Sequence, residues 1–287
     1  MIIYLLLGVA AVAVTCQDIF KQKYKSRSHG GTFFFSGMIS LFAMLCFLMV
    51  NRDWSWNTAL LIPAAGFALA YATCTVFTVL AIRHGSLAMT SLIVSCSLLI
   101  PSFYGVLWLK EAVSATLVIG LVLLIMALFL INYEKKNQKV SPITWKWSIF
   151  VFLAFVGNGL CATVQKAEQI RFGDEGRNLF MLLALAMVSV SLFVVSFLVK
   201  QERIMWKETV RNGWCWAFLC GIANALTNYL TLYLNSFLPA SFIYPVISAG
   251  GIVLSFLYST LVIREQFHWR QRFGFFIGVL SVILLNL

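Results

Sequence analysis

Five neutral side chains that can form hydrogen bonds recur at helical spacing within one apolar stretch. They are Asn224, Thr227, Asn228, Thr231 and Asn235. Residues three or four apart lie on one face of a helix, so these amides and hydroxyls predict a polar stripe. In hydrocarbon, such a stripe either joins helices or lines a watery cavity. Three asparagines on one stripe favour the cavity, in which Asn224 and Asn228 would bind a polar solute.

Other candidate binding residues share two properties: each forms hydrogen bonds without a charge, and each lies in an apolar stretch. They are Gln17, Tyr71, Thr75, Asn158, Gln165, Tyr244 and Ser248. Asn158 and Gln165 are two helical turns apart and therefore share a face. Lys21 shares a face with Gln17, whereas Asp18 is rotated about 100° from it. We expect both of these charges near the inner boundary of the membrane. The alternative for every candidate is helix packing.

The composition excludes an ordinary soluble domain. Hydrophobic residues make up 61% of the 287 residues, charged residues 11%, and the mean hydropathy is +0.91. About 20 helical residues cross a hydrocarbon core of roughly 30 Å. Ten apolar runs approach or exceed that length: 2–20, 32–50, 59–82, 87–109, 113–132, 147–167, 177–199, 213–236, 240–263 and 270–287. The sequence predicts an all-α integral membrane protein with ten transmembrane helices.

The ten runs divide into two related halves. Residues 85–132 align without a gap on residues 239–286, and the alignment places Glu111 on Glu265. Each half holds five runs, an odd number, so the second half must be inverted in the membrane. Such repeats are typical of secondary transporters, which bind solute between the halves. The predicted organisation is a first repeat over 1–133, a basic connecting loop over 134–146, and an inverted repeat over 147–287.

The net charge of +11 indicates how the chain is oriented in the membrane, and it does not indicate a nucleic-acid partner. Alternate connections between the runs hold 16 of the 21 Lys and Arg residues, and the others hold 5. Basic residues concentrate on the cytoplasmic side of membrane proteins. The 134–146 loop is therefore predicted to be cytoplasmic and both termini external, with a bacterial plasma membrane as the expected location.

Neither a metal site nor a cofactor site is predicted. The seven cysteines lie in apolar runs without a CxxC pair, and the three histidines are far apart. No GxxxxGK[ST] loop for a nucleotide is present. The GxxxG motif of Gly274 and Gly278 suits close helix packing inside one chain. A monomer is expected, with a homodimer as the alternative.

The stretch YPVISAGGIVLSFLYSTLVIREQF, which begins at Tyr244, resembles the last two helices of small multidrug resistance proteins. Together with the ten runs in two halves, the chain resembles the EamA family of the drug/metabolite transporter superfamily. NGLCATVQK (Asn158–Lys166) matches the family stretch whose Glu exchanges protons for cationic drugs, but Asn158 replaces that Glu. In the first half Ala10 takes its place, which argues against a proton-coupled polycation exporter. The family's termini are usually cytoplasmic, and here the charge distribution predicts the reverse.

The leading hypothesis is a secondary transporter that moves a small polar organic solute, such as a metabolite, amino acid or nucleoside-like compound, by alternating access. An exporter of organic cations that uses aromatic contacts is the alternative within the same class. A lipid-modifying membrane enzyme would need convergent carboxylates, histidines or a metal. A non-transporting scaffold would leave the repeat without a role. The expected partners are the solute and the lipid bilayer, and no enzymatic activity is expected.

The predicted orientation can be tested by cysteine labelling on a cysteine-free background. We expect Gln138→Cys to react with a membrane-impermeant maleimide only after the cells are permeabilised, because the 134–146 loop is predicted to be cytoplasmic. Leu287→Cys is the matched control and should react in intact cells. Labelling of residue 138 in intact cells would reverse the orientation.

Overall fold

The computed structural model describes most of the chain. It covers residues 2–28, 31–51, 58–98, 100–101, 104, 115–132, 144–172, 176–234, 237 and 240–284. The predicted 134–146 loop lies almost entirely outside these ranges, and so does Asn235 of the polar stripe. Within them the chain is helical and contains no strand. The all-α class is confirmed.

The helices are named here in chain order. They are α1 (Ile2–Arg27), α2 (Thr32–Val50), α3 (Leu61–His84), α4 (Leu87–Ser95), α5 (Ala115–Asn132), α6 (Trp145–Phe172), α7 (Arg177–Leu198), α8 (Lys200–Leu234), α9 (Ala240–Tyr258) and α10 (Trp269–Leu284). In the described part, six helical segments, built on α1–α3 and α6–α8, are long and apolar enough to cross a membrane. The protein is therefore membrane-embedded, and the full count of ten transmembrane helices stays a prediction.

Helix α8 is longer than the sequence predicted. Residues 200–212 were assigned to a connection, but they continue the helix, which has 35 residues. At 1.5 Å per residue, α8 is about 52 Å long, whereas the hydrocarbon core is roughly 30 Å thick. Its basic first turns must therefore extend beyond the hydrocarbon. Hydropathy missed them because Lys, Arg and Glu are good helix formers that nevertheless avoid hydrocarbon.

Helices of the first half pack mainly on helices of the second half. Helix α1 packs on α8 and α9, and α6 packs on α3 and α4. Helices α2, α4 and α5 pack on α7, α9 and α10 respectively. If each helix is replaced by the helix five places away in the chain, for example α1 by α6 and α8 by α3, the same set of packed pairs results. The core is thus an interface between the two halves.

Two glutamates connect elements at one end of the bundle, which we call the basic end. Glu202 of α8 accepts hydrogen bonds from the backbone N–H groups of Thr32 (2.7 Å) and Phe34 (3.3 Å) at the start of α2. Glu265 accepts a hydrogen bond from the Ser86 hydroxyl (2.7 Å), just before α4. Burial raises the pKa of the Glu265 carboxyl, and its hydrogen bonds and Lys25 oppose that rise. These carboxylates satisfy helix N-termini that carry partial positive charge.

Basic side chains concentrate at the same end. Following the helix directions, the described Lys and Arg residues lie toward the basic end, apart from Lys166, Arg171 and Arg177. At the opposite end, an Arg177 N–H donates to the Leu232 carbonyl over 2.8 Å. The charge asymmetry of the sequence is therefore also an asymmetry between the two ends of the bundle.

Glycines allow the closest contacts between the halves. A Cβ at Gly157 of α6 would lie 2.6 Å from the Cys74 backbone nitrogen and 2.8 Å from the Ala70 carbonyl oxygen. A Cβ at Gly221 of α8 would lie 2.9 Å from the Ile39 carbonyl oxygen. These neighbours are backbone atoms and cannot rotate away. In the GxxxG motif, a Cβ at Gly278 would meet Leu92 of the same chain.

A methyl group at Gly157 should separate α3 from α6. We expect Gly157→Ala to destabilise the protein by about 1–3 kcal/mol through overpacking. Gly8→Ala is the matched control, because no atom lies within 4 Å of the added Cβ. Alanine favours a helix over glycine by up to about 1 kcal/mol, so this control should be neutral or stabilising. Melting temperatures in detergent measure both, and a neutral Gly157→Ala would contradict the packing described.

Candidate functional site

A cavity of about 210 Å³ lies between helices of both halves. Its wall comes from α1, α3, α4, α6, α8 and α9. The polar groups that line it are Gln17, Asp18, Lys21, Tyr71, Cys74, Thr75, Thr78, Ser91, Ser95, Asn158, Gln165, Asn224, Thr227, Asn228, Thr231 and Ser248. Asn158 is close to the middle of the 28-residue helix α6, so the cavity lies near mid-depth in the bundle.

A continuous hydrogen-bond network crosses the cavity wall between α1 and α8. The Asn224 amide donates to the Gln17 side-chain oxygen over 3.0 Å, and the Gln17 amide donates to the Thr227 hydroxyl over 3.1 Å. The Asn228 amide donates to the Asn224 side-chain oxygen over 3.1 Å. The polar stripe of α8 therefore joins helices and lines the cavity at once. The helix-joining contacts are thus observed, and the binding of a solute by this stripe stays a prediction.

A second polar group lies on the side of α6 and α4. The Asn158 amide donates to the Ser97 hydroxyl over 2.7 Å, and its oxygen faces the Cys74 thiol at 3.7 Å. Gly159, beside Asn158, permits this approach, because a Cβ there would lie 2.7 Å from the Ser97 carbonyl oxygen. These contacts with neighbours on two helices hold Asn158 in its place at the cavity wall.

Asp18 and Lys21 form an ion pair on the cavity wall. The Lys21 ammonium lies 3.4 Å from one Asp18 carboxylate oxygen, and the two side chains are 11% and 13% exposed. The Ser91 hydroxyl of α4 donates to the other oxygen. Charged pairs inside a membrane bundle mark substrate or ion pathways more often than packing contacts. Among the residues that line the cavity, Asp18 and Lys21 carry the charges, and these sum to zero.

The structure brings eight of the nine sequence-predicted binding residues to this one cavity. They are Gln17, Tyr71, Thr75, Asn158, Gln165, Asn224, Asn228 and Ser248. The side chain of the ninth, Tyr244, lies outside the described part of the structure. Whether these residues contact a solute remains a proposal.

Sequence reasoning left out several groups that the cavity contains. Asp18 and Lys21 were expected at the membrane boundary, but both line the cavity. Helix α1 continues to Arg27, so Asp18 lies more than two turns before its end. The predicted run ends at residue 20, just before Lys21, and this end placed Asp18 near the boundary. Ser91 was missed because an isolated hydroxyl in an apolar run gives no distinctive signal.

Comparison with known proteins bears on the fold. Neither a family model nor a curated protein matches the sequence. A solved structure described as "Crystal structure of protein" matches with a TM-score of 0.66, covering 97% of this chain and 94% of that chain. The two sequences are 10% identical. At this identity the likeness shows a shared fold and nothing about function.

The bond between Gln17 and Asn224 should couple α1 to α8. In a double-mutant cycle of Gln17→Ala and Asn224→Ala, we expect a coupling energy of about 0.6 kcal/mol, the average for hydrogen bonds between membrane helices. Gln165→Ala with Asn224→Ala is the control pair, because both residues line the cavity without a hydrogen bond between them. Unfolding free energies in detergent give both couplings. Equal couplings in the two cycles would contradict the network.

Proposed function

We propose that this protein is a secondary transporter that moves a small polar solute through the cavity between its halves. The observation that carries the proposal is a polar cavity near mid-depth in an apolar bundle, lined by both halves. In repeat-built transporters the solute site lies at such an interface, and the halves rock around it. The pairing of α1 with α8 and of α3 with α6 is what two inverted repeats would produce. The resemblance to the EamA family supports the same architecture.

The charge balance of the cavity favours a zwitterionic or neutral solute over an organic cation. The Asp18 carboxylate and the Lys21 ammonium already neutralise each other. An added cation would leave a net positive charge in a site of low dielectric constant, which is costly. A zwitterion keeps the sum at zero, because its ammonium can face Asp18 and its carboxylate can face Lys21. The neutral amides of Asn158 and Asn224 can bind the rest of the solute.

The basic end of the bundle is assigned to the cytoplasm in this proposal. The described basic residues crowd toward that end, and positively charged segments stay on the cytoplasmic side during insertion. Both termini are then external and the location is a bacterial plasma membrane. This orientation is the reverse of that usual in the EamA family, so the labelling of residue 138 bears on it directly.

A panel of matched probes tests the solute class. We expect the melting temperature of the purified protein to rise with one or more free amino acids or nucleosides, since a bound ligand stabilises the folded state. For an amino acid that binds, its methyl ester is a cation and its N-acetyl derivative an anion, and neither should stabilise. Stabilisation by the ester alone would favour the organic-cation exporter. A probe that binds must also be taken up by proteoliposomes, since binding without uptake would contradict transport.

The ion pair provides a second test with an internal control. We expect Asp18→Asn and Lys21→Gln each to lower stability by up to about 3 kcal/mol, because each leaves an uncompensated charge inside the bundle. The double variant removes both charges and should regain most of that stability. If the pair also binds the solute, the double variant should still lack solute-dependent stabilisation and uptake. Recovery of uptake together with stability would show that the pair has only a structural role.

A further inference from the structure

A second cleft lies at the basic end, apart from the central cavity. It has a volume of about 470 Å³ and is lined by Arg27, Arg211, Asn212, Trp214, Cys215 and Trp216. The residues that line the central cavity are all different from these. The cleft is formed where the end of α1 meets α8.

Two guanidinium groups in this cleft have no carboxylate partner among the described residues. Among the described residues, Lys21 pairs with Asp18 at 3.4 Å, whereas neither Arg27 nor Arg211 has a carboxylate oxygen within 4.0 Å. Glu202, at the same end, bonds the backbone of α2 instead. The Arg27 guanidinium carbon lies 5.3 Å from the centre of the Trp216 ring. This cation–π contact attracts the guanidinium to the ring and leaves N–H donors that a ligand can reach.

The cleft lies where α8 crosses from water into hydrocarbon. Before it, the helix carries the exposed charges Lys200 and Arg203 beside apolar side chains such as Ile204; after it, the exposed side chains of α8, such as Phe218 and Ile222, are all uncharged. Trp214 is 54% exposed at this boundary. Tryptophan is enriched at the level of the lipid headgroups, where its ring meets both apolar and polar surroundings. The two arginines are therefore at the depth of lipid phosphates.

We propose that this cleft binds the phosphate headgroup of an anionic phospholipid. Arginine forks match phosphate oxygens with paired hydrogen bonds, and the two positive charges attract the single negative charge of a phosphodiester headgroup. Trp214 and Trp216 provide ring surface for the glycerol and the first acyl carbons. Basic pockets between transmembrane helices on the cytoplasmic side are suited to such headgroups. The site does not depend on which solute the central cavity takes.

A lipid bound here would act on the cavity through α1 and α8. These are the helices that Gln17 and Asn224 join at the cavity wall. Because Arg27 ends α1 and Arg211 lies in α8, one headgroup that contacts both would hold the two helices together. Anionic lipid would then stabilise the fold as a specific ligand does.

The test uses the full chain in detergent with added phospholipid. We expect dioleoyl phosphatidylglycerol to raise the melting temperature by a few degrees more than dioleoyl phosphatidylcholine does. The double variant Arg27→Gln/Arg211→Gln should lose that difference. Lys200→Gln/Arg203→Gln is the matched control, because it removes two exposed charges from the same end outside the cleft, and it should keep the difference.

Several outcomes would overturn the proposal. They are an equal response of the parent to both lipids, an unchanged preference in the cleft variant, and an equal loss in the control. Inorganic phosphate without lipid must not reproduce the rise, since that result would assign the cleft to free phosphate. If the Gln variant does not fold, Arg27→Lys/Arg211→Lys keeps the charge but lacks the paired geometry. It should lose part of the preference, and full retention would overturn recognition by arginine forks.

Discussion

The hydrocarbon of a membrane offers no hydrogen bonds, and this constraint governs the architecture. Backbone groups must be satisfied within helices, and polar side chains must find partners between them. In this protein the outer surface is apolar, with Ile62 83% and Leu69 74% exposed, while the amides of Gln17 and Asn224 are buried against each other. Polarity is therefore greatest inside the bundle. A polar cavity follows wherever the inward-facing groups outnumber the partners that they can find.

The interface between the halves combines tight backbone contact with weak polar bonds. Gly157 and Gly221 bring helices of opposite halves so close that a methyl group would meet backbone atoms. By contrast, each hydrogen bond across the cavity contributes only about 0.6 kcal/mol on average. The proposed alternating access would need this balance, because the halves must stay associated while the groups around a solute exchange partners. Asp18 and Lys21 fit the proposed transport of a zwitterion, which would offer each member of the pair an equivalent charge.

Electrostatics also differ between the two ends of the bundle. At the basic end, Glu202 and Glu265 accept hydrogen bonds from the first backbone or hydroxyl donors of α2 and α4, and neither forms an ion pair with Arg27 or Arg211. Arg27 and Arg211 remain with a surplus of positive charge at the depth of the lipid headgroups. The carboxylates hold the helices in register, and in the proposed lipid site a headgroup would supply the anion that Arg27 and Arg211 do not contact among the described carboxylates. Fold, orientation and lipid contact are thus linked through a small number of charges.

The sequence by itself determined the helical class, the membrane location and the polar face of α8, because hydropathy and helical spacing are local properties. The same local patterns identified eight residues, among them Asn158 and Gln165, that lie at one cavity. Only the tertiary structure decided which helices meet there and which polar groups bond to each other. It also decided that Asp18 and Lys21 line the cavity, since a charge lowers hydropathy whether it faces water or an internal partner. The placement of the charged part of α1 at the cavity depends on packing between residues about 200 positions apart. The continuation of α8 through its basic turns depends on the same packing. No local sequence pattern encodes it.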